Sequence, residues 1–324
     1  MYIVTGGAGF IGSALIWRLN NLGVDDILVV DNLGGSEKWR NLVNRSYVRY
    51  MHRDAFLASV KSGTLEESEI SALIHLGACS STTETDMDFL LSNNLEYTKT
   101  LCSFALDRGI RFIAASSAAT YGSGAQSFQD DPAALETLRP LNRYGYSKHL
   151  FDLWARRQGL FDSLVCLKFF NVYGPNEYHK REMRSVVHKT FLSLKTTGGI
   201  RLFRSNSPDF FDGEQRRDFI QVKDCAAVLC WLLEHPQVCG LFNVGSGEAR
   251  TWNELARAVA SAMGVPADIA YVDMPEDLRG AYQNYTLAPM ERLRAAGYDA
   301  PFLSLEQGVA DYVARYLQGP DPYL

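Results

Sequence analysis

Thr5-Gly6-Gly7-Ala8-Gly9-Phe10-Ile11-Gly12 stands between an apolar run, Tyr2 to Thr5, and an amphipathic stretch, Ile11 to Leu22. A glycine string between a strand and a helix is the setting of a dinucleotide-binding turn. Read as Gly7-x-Gly9-x-x-Gly12, the first glycine permits a tight bend and the second lets backbone approach a pyrophosphate. The third packs helix on strand, and the helix N-terminus faces the phosphates. A second apolar run, Ile27 to Val30, ends in Asp31, nineteen residues beyond Gly12, where such folds place the carboxylate that meets the adenosine ribose.

Further strand-like runs, Tyr47 to Met51, Ala72 to Leu76, Arg111 to Ala115 and Leu164 to Phe169, alternate with helical patterns. This alternation predicts a Rossmann-type α/β fold, a doubly wound parallel sheet with right-handed crossovers. After Phe170 the rhythm is irregular, until Phe219 to Val222 and Leu241 to Gly245 again read as strands around an apolar helix, Asp224 to Leu233. The expected division is a dinucleotide-binding unit over 1–170, to which 218–245 returns, and a smaller interleaved substrate lobe from 171–217 and 246–324.

The 324 residues carry a net charge of −5 with scattered basic residues, which leaves no footprint for nucleic acid or an anionic membrane. The six cysteines, Cys79, Cys102, Cys166, Cys225, Cys230 and Cys239, form no CxxC pair and no zinc-like spacing, so no metal is expected and all six read as reduced core residues. No signal segment and no apolar stretch of about 18 residues is evident. A cytoplasmic location is the expectation.

Tyr144-Gly145-Tyr146-Ser147-Lys148 supplies candidate chemistry. On a helix Tyr144 and Lys148 share a face, so the ammonium can stabilise a tyrosinate that takes a proton while carbon loses hydride. Moving a phenol from about 10 to about 7 needs roughly 4 kcal/mol, which a lysine and a nicotinamide cation together could supply. Ser116-Ser117-Ala118-Ala119-Thr120-Tyr121-Gly122 follows a strand end at the ligand-binding edge of such a sheet, and Ser117 can hydrogen-bond the reacting hydroxyl. His75 ends an apolar strand and reads as a hydrogen-bonded core residue; Cys79 reads as packing, since no activating base accompanies it.

With TGGAGFIG at 5–12, SSAATYG at 116–122, YGYSK at 144–148 and FNVYGP at 170–175, the chain resembles the extended short-chain dehydrogenase/reductase family. Within it, VVDNL at 29–33 with Lys38, HLGACSSTTE at 75–84, the pair His179-Lys180 and RAAGYDAPF at 294–302 are similar to epimerases that invert carbon 6 of an ADP-linked heptose for the lipopolysaccharide inner core.

That resemblance implies an isomerase with a tightly held NADP, NAD being the other possibility. Asp31 alone would favour NAD, whereas Asn32, Lys38 and Arg53 could surround a 2′-phosphate. Further cofactor contacts implied are Gly6, Gly9, Phe10, Ile11, Gly12, Leu76, Gly77, Ala78, Cys79, Ser80, Asn93, Lys148, Val172 and Lys180. Catalysis is assigned to Tyr144, Lys180, Ser117 and Lys148, although the residues alone would leave Lys180 a solvated surface lysine. The implied substrate contacts are Ser117, Asn171, Glu182, Lys189, Phe203, Arg204, Ser205, Arg217 and Tyr282. Arg181 and Glu182 depart from the small residues of the family pattern, Lys189 stands where histidine is usual, and the segment before Arg217 is long. A homo-oligomer, specifically a pentamer, is also implied. The competing readings are a nucleotide-sugar 4-epimerase or reductase and, from another class, a non-catalytic dinucleotide sensor.

Overall fold

The computed structural model describes residues 1–65, 69–279 and 282–324, with backbone alone for 277 and 278. In chain order its larger elements begin with β1 (Tyr2–Thr5), α1 (Phe10–Asn21), β2 (Ile27–Asp31), β3 (Arg49–His52), α2 (Arg53–Ser62) and β4 (Ala72–His75). There follow α3 (Met87–Leu90), α4 (Tyr97–Leu106), β5 (Arg111–Ser117), α5 (Arg143–Arg157), β6 (Val165–Phe169) and β7 (Asn171–Tyr173). The last part holds α6 (Val186–Thr197), β8 (Ile200–Phe203), β9 (Arg216–Gln221), α7 (Val222–Glu234), β10 (Gly240–Val244) and β11 (Ala249–Thr251). It ends with α8 (Trp252–Met263), β12 (Ile269–Val272) and short helices that include Glu291–Ala295 and Leu305–Tyr312.

Seven parallel strands form the main sheet in the order β10-β6-β5-β4-β1-β2-β3. Every residue of β2, β4, β6 and β10 is buried, because helices cover both faces. That is why these strands read as largely apolar runs rather than alternating ones. The direction of winding reverses between β1 and β4, and the strand ends there open the crevice in which such sheets bind ligands.

Two sites in the second half differ from the sequence reading. Strand β9, expected to return to the main sheet, instead lies between β7 and β11 in a three-stranded sheet of its own. Its polar start, Arg216-Arg217-Asp218, suits the rim of a small lobe rather than a doubly covered sheet. In turn, Ala288, Met290, Leu293 and Tyr298, expected in the smaller lobe, are buried in the large core. Strand β10 is an edge, and the helix Glu291–Ala295 caps it, with Arg292 Nε donating to the Leu241 carbonyl at 3.4 Å.

The smaller core gathers Tyr173, Val187, Phe191, Phe219, Leu255, Val259 and Tyr312. Asp218 staples the two cores. Its carboxylate accepts from Ser246 N at 2.6 Å, Gly247 N at 3.0 Å and Ala288 N at 3.0 Å.

Candidate active site

The turn after β1 shows why glycine is required. Its left-handed residue is Gly6, at φ +68°, one position before the glycine read as the bend. A Cβ on Gly12 would lie 2.2 Å from the Gly6 carbonyl oxygen, and one on Gly9 2.9 Å from it. Helix α1 therefore starts hard against the strand, its Gly9 cap contributes no side chain, and its first amides are open to a ligand.

A cleft of about 560 Å³ runs from this turn across the strand ends. It is lined by Gly6, Gly9, Phe10, Ile11, Gly12, Asp31, Asn32, Lys38, Arg53, Leu76, Gly77, Ala78, Cys79, Ser80, Asn93 and Val172, and also by Ser117, Tyr144, Lys148 and Lys180. At the end of β2, Asp31 is already engaged by the protein. Oδ2 accepts from Ala8 N at 2.8 Å, while Oδ1 accepts from Asn32 N at 2.7 Å and Lys38 Nζ at 2.6 Å. Arg53 stacks on the Tyr97 ring at 5.1 Å and donates to Asn93.

At the other end of the cleft, helix α5 begins where the Asn142 side chain accepts from Gly145 N at 2.8 Å. A Cβ on Gly145 would meet the Ala119 carbonyl oxygen at 2.7 Å, so the glycine lets the helix start close to the end of β5. Tyr144 on α5 and Ser117 at the end of β5 thereby line the same cleft. Burial raises the Tyr144 phenol above its ordinary value, and Ser117 works against this. Lys148, whose charge was expected to favour the anion, donates its ammonium to the Ala115 carbonyl at 2.8 Å. Lys148 itself is pushed down to about 8 by burial.

Lys180 is not the solvated lysine that its polar neighbours suggested. It sits 5.3 Å above the Phe10 ring, and burial lowers its ammonium from the ordinary value while Glu177 opposes this. The turn that carries it is held at both ends by residues of positive φ, Asn176 at 76° and Arg181 at 49°. Asn41 Nδ2 donates to Ala8 O at 2.9 Å and to Asn176 O at 3.1 Å, tying this turn to the glycine turn.

The remaining candidates lie outside that lining. Arg217 is buried between aromatic rings, 5.7 Å from Trp252 and 5.0 Å from Tyr282, and burial lowers it to about 10. Asn171 spends its amide on Asp218 O and Thr286 Oγ1, at 3.0 and 3.2 Å. Phe203 ends β8; Ser205 N donates to Asp212 at 2.8 Å, and Arg204 is exposed between Asp212 and Asp273. Glu182 and Lys189 are exposed, with Lys189 Nζ on the Glu182 carbonyl at 2.6 Å.

His75 is a buried core histidine as read, bonded to Thr5 at 2.6 Å and Thr98 at 2.8 Å. All six cysteines are free, but Cys79 and Cys239 are only partly buried, Cys79 because it borders the cleft. The sequence reading passed over Asn94, which clamps the Cys79 backbone through N and O at 2.9 Å each, and over Met183, which lines the mouth. It also passed over Asp152 and Lys168, although a lysine inside the apolar strand Val165–Phe169 is a visible signal.

The model of the NAD dependent epimerase/dehydratase family matches residues 2–245. The chain belongs to this family. The glycine turn fits the nicotinamide dinucleotide that the family uses, since the Gly9 cap brings no side chain to the start of α1 and the turn lines the cleft. Over the whole of both chains it is 58% identical to an ADP-L-glycero-D-manno-heptose-6-epimerase of Nitratidesulfovibrio vulgaris (strain DP4). To the enzyme of the same name from Fusobacterium nucleatum it is 45% identical, again over 100% of both. Among solved structures it is similar to the Helicobacter pylori ADP-L-glycero-D-manno-heptose-6-epimerase, with a TM-score of 0.81, 26% identity and 96% and 94% of the two chains covered. The Thermus thermophilus UDP-glucose 4-epimerase complex with NAD gives 0.73 at 25% identity, covering 96% and 97%. Among the described residues no helix is long and apolar enough to cross a membrane, and no group of metal-binding side chains is present.

Proposed function

We propose that this chain converts ADP-D-glycero-D-manno-heptose to ADP-L-glycero-D-manno-heptose by epimerisation at carbon 6, for the lipopolysaccharide inner core. The observation that carries this reading is that two ionisable groups from different elements, Tyr144 on α5 and Lys180 on the turn after β7, border one cleft. Inverting a carbinol carbon returns hydride to the opposite face of the ketone, and a second group at the cleft can protonate the oxygen once the ketone has turned. Full-length similarity to enzymes of that name supports the choice of sugar.

A bound nicotinamide would accept a hydride from carbon 6 and later return it. Tyr144 as phenolate takes the proton of the C6 hydroxyl, while Ser117 hydrogen-bonds the same oxygen. Lys148, fixed on the Ala115 carbonyl, holds its charge near the reacting centre. Once the ketone has turned, Lys180 delivers a proton to its oxygen from the other side; partial burial makes this ammonium a readier donor than a solvated lysine. Arg217 between Trp252 and Tyr282 suits the ADP diphosphate, with Asn171, Phe203, Arg204 and Ser205 beside it, whereas Glu182 and Lys189 would border the outer wall.

We further propose NADP as the resident cofactor. With both Asp31 oxygens already accepting hydrogen bonds and Lys38 offsetting the charge, little of that carboxylate is left for a ribose diol. Lys38, held beside Asp31, and Arg53 both line the cleft and bring positive charge to where a 2′-phosphate would lie. Lys38→Ala should weaken NADP binding about 10- to 100-fold, as loss of a charge-assisted contact does, with little effect on NAD. Equal weakening of both in calorimetric titrations would remove this preference.

Purified protein without added cofactor should invert carbon 6 of ADP-D-glycero-D-manno-heptose, followed by proton NMR, and Tyr144→Phe should not. Inversion of UDP-glucose at carbon 4 instead would transfer the assignment to a 4-epimerase.

A further inference from the structure

Behind the cleft, and absent from its lining, Asp152 and Lys168 form an ion pair with Nζ 2.6 Å from Oδ2, both side chains 0% exposed. Ser116 Oγ donates to the same oxygen at 2.9 Å, and the Cys166 thiol faces Oδ1 at 3.2 Å. Lys168 Nζ also donates to Thr120 Oγ1 at 2.6 Å and lies 4.8 Å over the Tyr121 ring. A buried ion pair is a poor stabiliser beside apolar residues of the same volume, because desolvation offsets most of its attraction. Its position supplies another reason for it. Tyr144, Lys148 and Asp152 are four apart on α5 and share one face, and Ser116 directly precedes Ser117.

We propose that Asp152 and Lys168 are positioning residues for the reacting tyrosine: the pair fixes α5 against the ends of β5 and β6, and its two opposed charges set the field at Tyr144 and Lys148. This rests on the reading of Tyr144 as the proton acceptor. Ser117 from β5, Cys79 from the segment after β4 and Asp152 act on Tyr144 directly, and Lys168 acts as the counter-charge 2.6 Å from Asp152. Those acting on Lys148 are Cys166 from β6, Asp152 and Cys79, with His75 of β4 also facing it. Asp152 itself faces Lys168, Cys166, Tyr121 and His149. The His75 imidazole is held neutral and the Cys166 thiol is pushed upward by burial, whereas the Asp152 carboxylate is ion-paired to Lys168 at 2.6 Å.

The sign follows from Coulomb's law. Asp152 favours the protonated forms of Tyr144 and Lys148, and Lys168 offsets it. Asp152→Asn should therefore move the ionisation of Tyr144 to lower pH, and Lys168→Gln should move it to higher pH, by about half to one unit each. Lys168→Arg and the double variant Asp152→Asn/Lys168→Gln should both titrate as the wild type does. The readout is tyrosinate absorbance of the protein with its resident cofactor, taken as the difference from Tyr144→Phe in each background. No sugar need turn over, so an error in the substrate assignment would leave this titration readable. Displacement of both single variants in the same direction, or of neither, would overturn the proposal. Should either single variant not fold, the double variant decides, since a titration displaced by more than about half a unit is incompatible with cancelling charges.

Discussion

Tyr144 is where chemistry and environment pull hardest against each other, since burial favours the neutral phenol while the proposed reaction needs its anion. Replacing it by phenylalanine keeps the ring and removes only the proton carrier. The kcat of Tyr144→Phe should fall about 10²- to 10⁴-fold, the usual worth of a general base, with the unfolding midpoint unchanged. A comparable loss on changing exposed Tyr146 would deny Tyr144 its role. At this scale the sequence was informative where a residue's task is local, as with Asp31 at a strand end or Tyr144 four residues before Lys148. It said little about Lys180, because only the folded turn brings that side chain over Phe10. Nor could it show that Asp31 is bonded three times over by the backbone and Lys38, since Ala8 and Lys38 reach it from other segments.

Among elements, the strands of the main sheet were legible because burial on both faces favours nearly continuous apolar runs. Three-residue strands such as β7 and β11 carry no such pattern, and β9 was assigned to the wrong sheet for a related reason. Phe219 to Val222 looks apolar wherever it is placed, and its pairing is decided by the Asp218 staple and by β7 beside it. The glycine turn is the element most sensitive to substitution. Gly12→Ala would put a methyl 2.2 Å from the Gly6 carbonyl oxygen, a contact that backbone alone can relieve. Such overpacking costs about 1–3 kcal/mol and separates α1 from the strand. Differential scanning calorimetry should show a lower midpoint, and the purified variant should carry little dinucleotide. Full retention of cofactor would mean that the turn tolerates widening.

Across the whole molecule, pH reports on the buried sheet. His75 is 1% exposed, bonded through both ring nitrogens, and lowered to about 3 by burial, with Lys148 adding to the effect. A folded-state pKa below the unfolded value of about 6.5 makes this contribution complete above that pH and progressively lost as pH falls toward 3. Between pH 6.5 and 5 the loss from His75 alone is about 2 kcal/mol. Urea unfolding should show it, and His75→Gln should flatten the slope over that window; an unchanged slope would place the acid sensitivity elsewhere.

The order in which the main sheet is completed bears on how the chain is made. Strand β10 pairs with β6, yet it is synthesised some seventy residues later, after β7, β8 and β9 of the smaller lobe have emerged. On the ribosome, the edge of β6, with its wholly buried run from Val165 to Phe169, therefore waits unpaired while the rest of the sheet can already close. An open, apolar strand edge is a template for another chain. Translation that stalls between residues 170 and 240 would thus yield a sticky, nearly finished sheet. Folding helpers should engage this protein chiefly in that interval and release it once β10 has docked.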